Sequence, residues 1–248
     1  MKQLILALTL LAALPGMAQQ TENSCKQKEW KPQTFLEADE LPDETYFLPA
    51  PPKESSIAFT ADVLRYQWGK MQRDTERGAQ AVKDANWTTI YMLEYFAPAL
   101  GCTLSEEETP ETYNLLKQGI GAGGNSVKKG KKKYHRTRPY AFFNESTSIP
   151  GEEEDLRHNG SYPSGHTARG WMVALILVEL FPQHQNEILK AGYEYGESRV
   201  IVGFHYQSDV NAARIASSAA FARLHADEGF QKQLAKAKKE LKKKGLAE

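Results

Sequence analysis

From residue 58 onward the apolar positions recur at helical spacing, and no stretch alternates with the period of two that marks a half-buried strand. The pattern is clearest where Trp171, Ala174, Leu175, Val178 and Phe181 fall at offsets of three, four, seven and ten, one apolar stripe facing a core. The spacing predicts helices over residues 58 to 71, 74 to 85, 87 to 98, 105 to 120, 124 to 133, 164 to 181, 184 to 203 and 207 to 225, with a basic one from 227 to 244. In the penultimate helix Ala212, Ala213, Ala216, Ser217, Ala219 and Ala220 are small enough for neighbouring helices to approach closely. Residues 19 to 55 read differently: they are polar, and Pro49-Ala50-Pro51-Pro52 forbids a regular helix, so an extended arm wrapping the body is expected. The fold class that follows is all-α, a single compact helical bundle over residues 56 to 248 behind that arm.

The first residues change the picture of where the chain works. Met1-Lys2-Gln3, an apolar run of eleven residues from Leu4 to Leu14, and Gly16-Met17-Ala18 read as a cleavable secretory signal, with the cut expected after Ala18. A spanning helix needs about 20 residues, so the run predicts a leader and no permanent anchor. Lys2 is the one charged side chain in residues 1 to 18, and the rest of the chain stays close to the overall balance of 31 basic and 31 acidic residues. That balance gives no push toward nucleic acid or an anionic membrane. In a periplasmic or extracellular setting the two cysteines, Cys25 and Cys102, either pair or stay as thiols; the sequence leaves both open. The lysine-rich tail from Lys232 to Lys244 reads as a solvated amphipathic helix, and Glu152-Glu153-Glu154-Asp155 as a mobile loop in preference to a cation site.

Chemistry concentrates in three short pieces: Lys131 with Arg138-Pro139; Pro163-Ser164-Gly165-His166; and Ser198-Arg199 followed by His205 and Asp209. Phosphoryl transfer needs charge neutralisation and positioning. Arg138 and Arg199 can each fork onto two oxygens, and Lys131 supplies a compact charge, with Lys132 and Lys133 as lesser candidates in the same run. The turn Gly160 to Thr167 feeds an apolar helical pattern, so a helix N-terminus with open N–H groups at Gly165 and a hydroxyl from Ser164 would face the anion. Of the six histidines only His166 and His205 stand in such settings. Asp209, four residues on, can accept a ring N–H of His205 and fix its tautomer, which makes His205 the nucleophile and Asp209 its orienting partner. His166 is then the general acid and later the base, and activity should peak at mildly acidic pH. No metal or cofactor is called for.

These pieces resemble the three-part signature of the phosphatidic acid phosphatase type 2 and vanadium haloperoxidase superfamily. The strings Gly-Ser-Tyr-Pro-Ser-Gly-His-Thr at 160 to 167 and Gly-Glu-Ser-Arg-Val-Ile at 196 to 201 more narrowly resemble bacterial class A non-specific acid phosphatases. So do Ser56-Ile57-Ala58-Phe59, Asp74-Thr75-Glu76-Arg77-Gly78 and Asn186-Glu187-Ile188-Leu189-Lys190, and the likeness spans residues 40 to 240. The resemblance implies an all-α secreted enzyme that hydrolyses many small phosphomonoesters without a metal, through a phosphohistidine, and that can pass the phosphoryl group to alcohols. It also makes a homo-oligomer an expectation. Carried over by motif, Lys131, Arg138, Ser164, Gly165 and Arg199 bind phosphate while His166, His205 and Asp209 do the chemistry. One departure is Gly121-Ala122-Gly123-Gly124, a stretch looser than the family pattern, which predicts a different entrance to the site and bears on substrate preference, not on the reaction.

Other readings use the same residues. A vanadate-dependent haloperoxidase would hold vanadate in the oxyanion cradle with His205 as ligand, but the strings outside the cradle point to the phosphatases. An integral lipid phosphatase needs several spanning helices, whereas the most apolar internal run, Trp171 to Phe181, has eleven residues and contains Glu179. A phosphate-binding protein has use for Lys131, Arg138 and Arg199 but not for two histidines.

Overall fold

A computed structural model describes residues 33–247, and among them lie twelve α-helices, two 3-10 turns and no strand. The expected leader, Cys25 and the first part of the arm fall outside these residues. The helices are α1 Glu44–Phe47, α2 Ile57–Gln72, α3 Glu76–Lys83, α4 Thr89–Leu100, α5 Pro110–Asn125, α6 Lys128–Tyr134, α7 Pro139–Phe143, α8 Glu153–Arg157, α9 Gly165–Leu180, α10 Gln185–Ile201, α11 Gln207–Leu224 and α12 Glu228–Lys243. The all-α expectation holds, and each of the nine expected helices has a counterpart. Local chemistry sets several starts: Ser56, Thr75, Thr88 and Asp227 each accept a main-chain N–H from the first turn of the following helix. The expected start at 105 moves to Pro110, the first residue of α5, because Ser105 to Thr109 forms a turn of its own and proline suits a position whose N–H would be unbonded.

Helix α9 is the axle of the molecule and packs against α5, α10 and α11. Its expected stripe is corrected. Met172, Val173, Ala174, Ile176 and Leu177 are fully buried, while Trp171, Leu175 and Val178 are only half-buried. A helix enclosed by three neighbours is apolar nearly all round, so a single stripe does not describe it. Trp171 instead reaches outward and donates its ring N–H to Ser218 Oγ at 2.9 Å.

The glycine run is corrected as well. It is not a loose stretch but the last turns of α5, where Gly123 lies so close to α9 that a Cβ there would meet the Ala168 carbonyl oxygen at 2.7 Å. On the other side of α9 the small face of α11 fits as expected: Ala212, Ala213, Ala216, Ser217 and Ala220 are buried, and Ser217 Oγ donates to the Ala168 carbonyl at 2.9 Å.

The tail helix α12 is amphipathic but not merely solvated. Phe230, Leu234, Ala237 and Leu241 join the core, and the Glu240 carboxylate accepts the first N–H groups of α5 from Glu111 (3.0 Å) and Thr112 (2.9 Å). The described part of the arm, residues 33 to 55, carries α1 and packs its Glu44 against α6, accepting from Gly130 N at 2.6 Å. Among the described residues no helix is long and apolar enough to cross a membrane.

Candidate active site

Three segments bring their ends to one cavity of about 290 Å³. Helix α6 ends and turns through His135 (φ 42°) to Arg138, which precedes α7; the 160 to 164 turn enters α9; and the C-terminus of α10 runs through a short loop into α11. Lys131, Arg138, Gly165, His166, Arg199 and His205 all line the cavity. Residues separated by up to 74 positions therefore meet, as the motifs predicted. Of the three candidate lysines, Lys131 lines the cavity while Lys132 and Lys133 are exposed.

Each cation is held in place by main-chain oxygens or left open toward the cavity. Arg138 donates through Nε to the carbonyls of Leu156 (2.9 Å) and Asn159 (3.0 Å) and through Nη1 to Phe204 O (3.1 Å). Lys131 Nζ donates to Gly160 O at 2.6 Å. Arg199 is buried with Nε and Nη1 lacking any partner among the described residues, and its Nη2 stands 4.0 Å from Glu152. Burial and then the neighbouring Arg138 push the Lys131 ammonium well below its usual range; burial and Arg199 bring Arg138 down to about 10. Burial and like-charge neighbours together outweigh the pull of Asp209 on both groups. In the first turn of α9 the N–H groups of Gly165 and His166 have no intrahelical acceptor and add to the same field.

The histidines are oriented from behind. Asp209 Oδ2 lies 3.4 Å from His205 Nδ1, accepts from Tyr206 N at 2.9 Å and receives the Ser161 hydroxyl, while Oδ1 accepts from Arg136 Nη1 at 2.6 Å. The expected helical i,i+4 pairing of His205 with Asp209 is corrected in form: His205 precedes α11, and Asp209 reaches it from the third helical position by folding back over the helix start. With Nδ1 donating to this carboxylate, the lone pair on His205 Nε2 faces the cavity and accepts from Arg138 Nη1 at 3.1 Å. Burial raises the Asp209 carboxyl, but hydrogen bonds from His205 and Ser161 and the charge of Arg136 outweigh it and hold the group well below the usual carboxylate range.

His166 stacks on Tyr195, centroids 4.7 Å apart, and the Asp84 main-chain carbonyl accepts from its ring; Nε2 is buried without a partner among the described residues. The stack depends on Gly170, since a Cβ there would collide with the Tyr195 ring. Burial, then Arg199 and Arg169, push His166 well below the ordinary histidine range, and burial and Arg138 do the same to His205 against the pull of Asp209.

Ser164 is placed differently from its motif partners. It is fully buried, caps α9 by accepting from Thr167 N at 3.3 Å, and stands behind Gly165 without lining the cavity. The acidic run, expected as a loop, is a 3-10 turn continuing into α8, anchored where Glu153 accepts from Thr147 N at 2.7 Å; Glu152 and Asp155 line the cavity.

Sequence reasoning missed Arg136, Asp62, Ser161, Tyr195, Trp87 and Arg169. Arg136 sits inside the same basic string as Arg138, and only the fold separates the two: Arg136 turns away to bridge Asp209 and Asp62. Ser161 carried a usable signal, since it lies within the 160 to 167 string. Nothing in the spacing of Asp62 or Tyr195 marked either.

The model of the PAP2 superfamily matches residues 115–229, which hold all three motifs. Among curated relatives, a non-specific acid phosphatase from Providencia stuartii is 46% identical over 84% of this chain and 85% of its own length. The chain belongs to the PAP2 superfamily. Further relatives are a non-specific acid phosphatase from Salmonella typhimurium, 41% identical over 86% of this chain and 85% of its own, and an acid phosphatase from Zymomonas mobilis, 32% identical over 96% and 89%. The resemblance carried by the motifs is thus borne out. Within this PAP2 fold the cavity sits where α6, α9 and the α10–α11 turn converge.

Proposed function

We propose that this PAP2 protein is a secreted acid phosphatase that hydrolyses small phosphomonoesters through a phosphohistidine on His205. The observation that carries the reading is that one cavity holds His205 Nε2, its lone pair turned inward by Asp209, together with Arg199 Nε and Nη1 and His166 Nε2, which lack partners among the described residues. A tetrahedral dianion would take hydrogen bonds from Arg199, Arg138, Lys131 and the Gly165 and His166 N–H groups, with Ser164 fixing the helix start that presents them. Drawing Arg138 onto a phosphate oxygen frees the Nε2 lone pair for attack.

His205 Nε2 then bonds to phosphorus as the ester P–O bond breaks, and protonated His166 gives its Nε2 proton to the departing alkoxide. Water next attacks the phosphorus, His166 takes its proton, the N–P bond breaks and phosphate leaves with His205 restored. An alcohol in place of water gives phosphotransfer. The leader expected at residues 1 to 18 supports export. Because every charge in this scheme is a side chain or an N–H group, turnover should survive a chelator.

The test is hydrolysis of p-nitrophenyl phosphate at pH 5 to 6 with EDTA, comparing the unmodified chain with His205→Ala. Turnover together with an acid-labile phosphoenzyme in the unmodified chain, and neither in the variant, is the expected result. Wild-type rates in the variant would overturn the assignment of His205.

A further inference from the structure

One cation at the cavity has no place in that scheme. Arg169 lies four residues beyond Gly165 on α9, hence on the face of the helix that presents its N-terminus to the cavity, and it lines the cavity wall. Lys131 and Arg138 are tethered to carbonyls and Arg199 faces Glu152, whereas Arg169 makes no ion pair or hydrogen bond among the described residues. Its close partner is the Trp87 ring, over which the guanidinium lies at 4.6 Å. Room for it comes from Gly124, where a Cβ would meet the guanidinium carbon at 2.9 Å. The side chain is half-buried, and with no acid beside it the guanidinium is left open to an anion from the cavity.

The position of that ligand follows from the neighbours. A Cβ built on Gly165 would stand 3.3 Å from Arg169 Nη1 and 3.4 Å from Lys131 Cε, so the guanidinium and the lysine stem flank one point at the edge of the phosphoryl cradle. Glu152 and Asp155 also line the cavity. A second anionic group on a substrate would be repelled by those carboxylates and drawn toward Arg169. Resting on the phosphatase reading above, we propose that Arg169, braced by Trp87, forms a second anion subsite beside the cradle. It would favour substrates whose leaving group carries another phosphoryl group next to the first: phosphate anhydrides and closely spaced bisphosphates.

The experiment compares kcat/KM for pyrophosphate and for p-nitrophenyl phosphate in the unmodified chain, Arg169→Gln and Arg169→Lys. The glutamine variant should lose at least tenfold more on pyrophosphate than on the aryl ester, and lysine should recover most of the difference. Equal losses on the two substrates would mean that Arg169 only helps hold the transferred group, and overturn the subsite. Calorimetric titration with methylenediphosphonate against methylphosphonate provides a readout independent of turnover and of the variants' folding. The unmodified chain should bind the diphosphonate at least tenfold more tightly, and the same affinity for both would also overturn the proposal. If no phosphate ester is turned over at all, the phosphatase reading fails while this titration still decides the subsite.

Discussion

At the scale of single residues the two histidines occupy similar ground but face opposite tasks in the proposed mechanism. Both are pushed toward the neutral form by burial and by an arginine, Arg138 for His205 and Arg199 for His166. For a nucleophile that is the required state. For a general acid it is the wrong one until the phosphoryl dianion arrives, neutralises Arg199 and makes the imidazolium of His166 favourable. The Asp84 carbonyl already holds one ring nitrogen as a donor, so an incoming proton must sit on Nε2, the nitrogen without a partner among the described residues. General acid catalysis of this kind contributes about a hundredfold to ten-thousandfold in rate, and most where the leaving alkoxide is basic. His166→Ala should therefore cut kcat/KM for an alkyl phosphate at least tenfold more than for p-nitrophenyl phosphate, in steady-state assays at pH 5.5. Equal losses on the two esters would remove His166 from the acid role and leave it as a binding group.

At the scale of elements, a salt-bridge chain ties three segments together behind His205, and the proposed chemistry would depend on it. Arg136, before α7, donates to Asp209 on α11 and through Nη2 to Asp62 on α2 at 2.8 Å; Asp62 also accepts from Ser208 N at 2.8 Å. All three charged side chains are at most 8% exposed, so removing the cation strands two buried carboxylates. Loss of one partner from such a pair costs roughly 3 to 5 kcal/mol. Arg136→Met should lower the unfolding free energy by about that much in urea melts, and slow turnover further because Asp209 would no longer hold His205; a change under ~1 kcal/mol would mean that the chain of charges is unimportant.

This is also where sequence reading reached its limit. The helices announced themselves through periodicity and through caps such as Ser56 and Asp227, and the motif residues met because each motif sits at a helix end. Whether Arg136 or Arg138 faces the ligand depends on the turn at His135, and the true environment of α9 depends on α5, α10 and α11 enclosing it. Both are matters of long-range packing that no local spacing encodes. The glycine run misled for the same reason, since an open space and a tight helix crossing call for the same small residue.

At the scale of the whole molecule, the cavity couples stability to pH and to anions. His166 and His205 have folded pKa values below their unfolded ones, so the unfolded chain binds more protons, and stability present above about pH 6.5 is lost as pH falls toward the folded values. Asp209, also depressed, adds stability above about pH 3.9 that acid removes as well. Both signs agree: without ligand the protein should melt at a lower temperature at pH 5 than at pH 7.5. An anion in the cradle works against this, because it relieves the depressed Lys131, Arg138 and Arg199 and raises His166. Sulfate is the suitable probe, being tetrahedral and doubly charged throughout the range, so any pH dependence belongs to the protein. A ligand at 100 times its dissociation constant stabilises by about 2.7 kcal/mol. If binding takes up a proton on His166, that affinity rises as pH falls. The gain in melting temperature from a fixed sulfate concentration should therefore be larger at pH 5 than at pH 7.5, and His166→Ala should flatten the difference. A gain that is constant with pH, or that grows toward pH 7.5, would show that the histidine does not gain a proton on anion binding, and the acid role would have to pass to another group at the cavity.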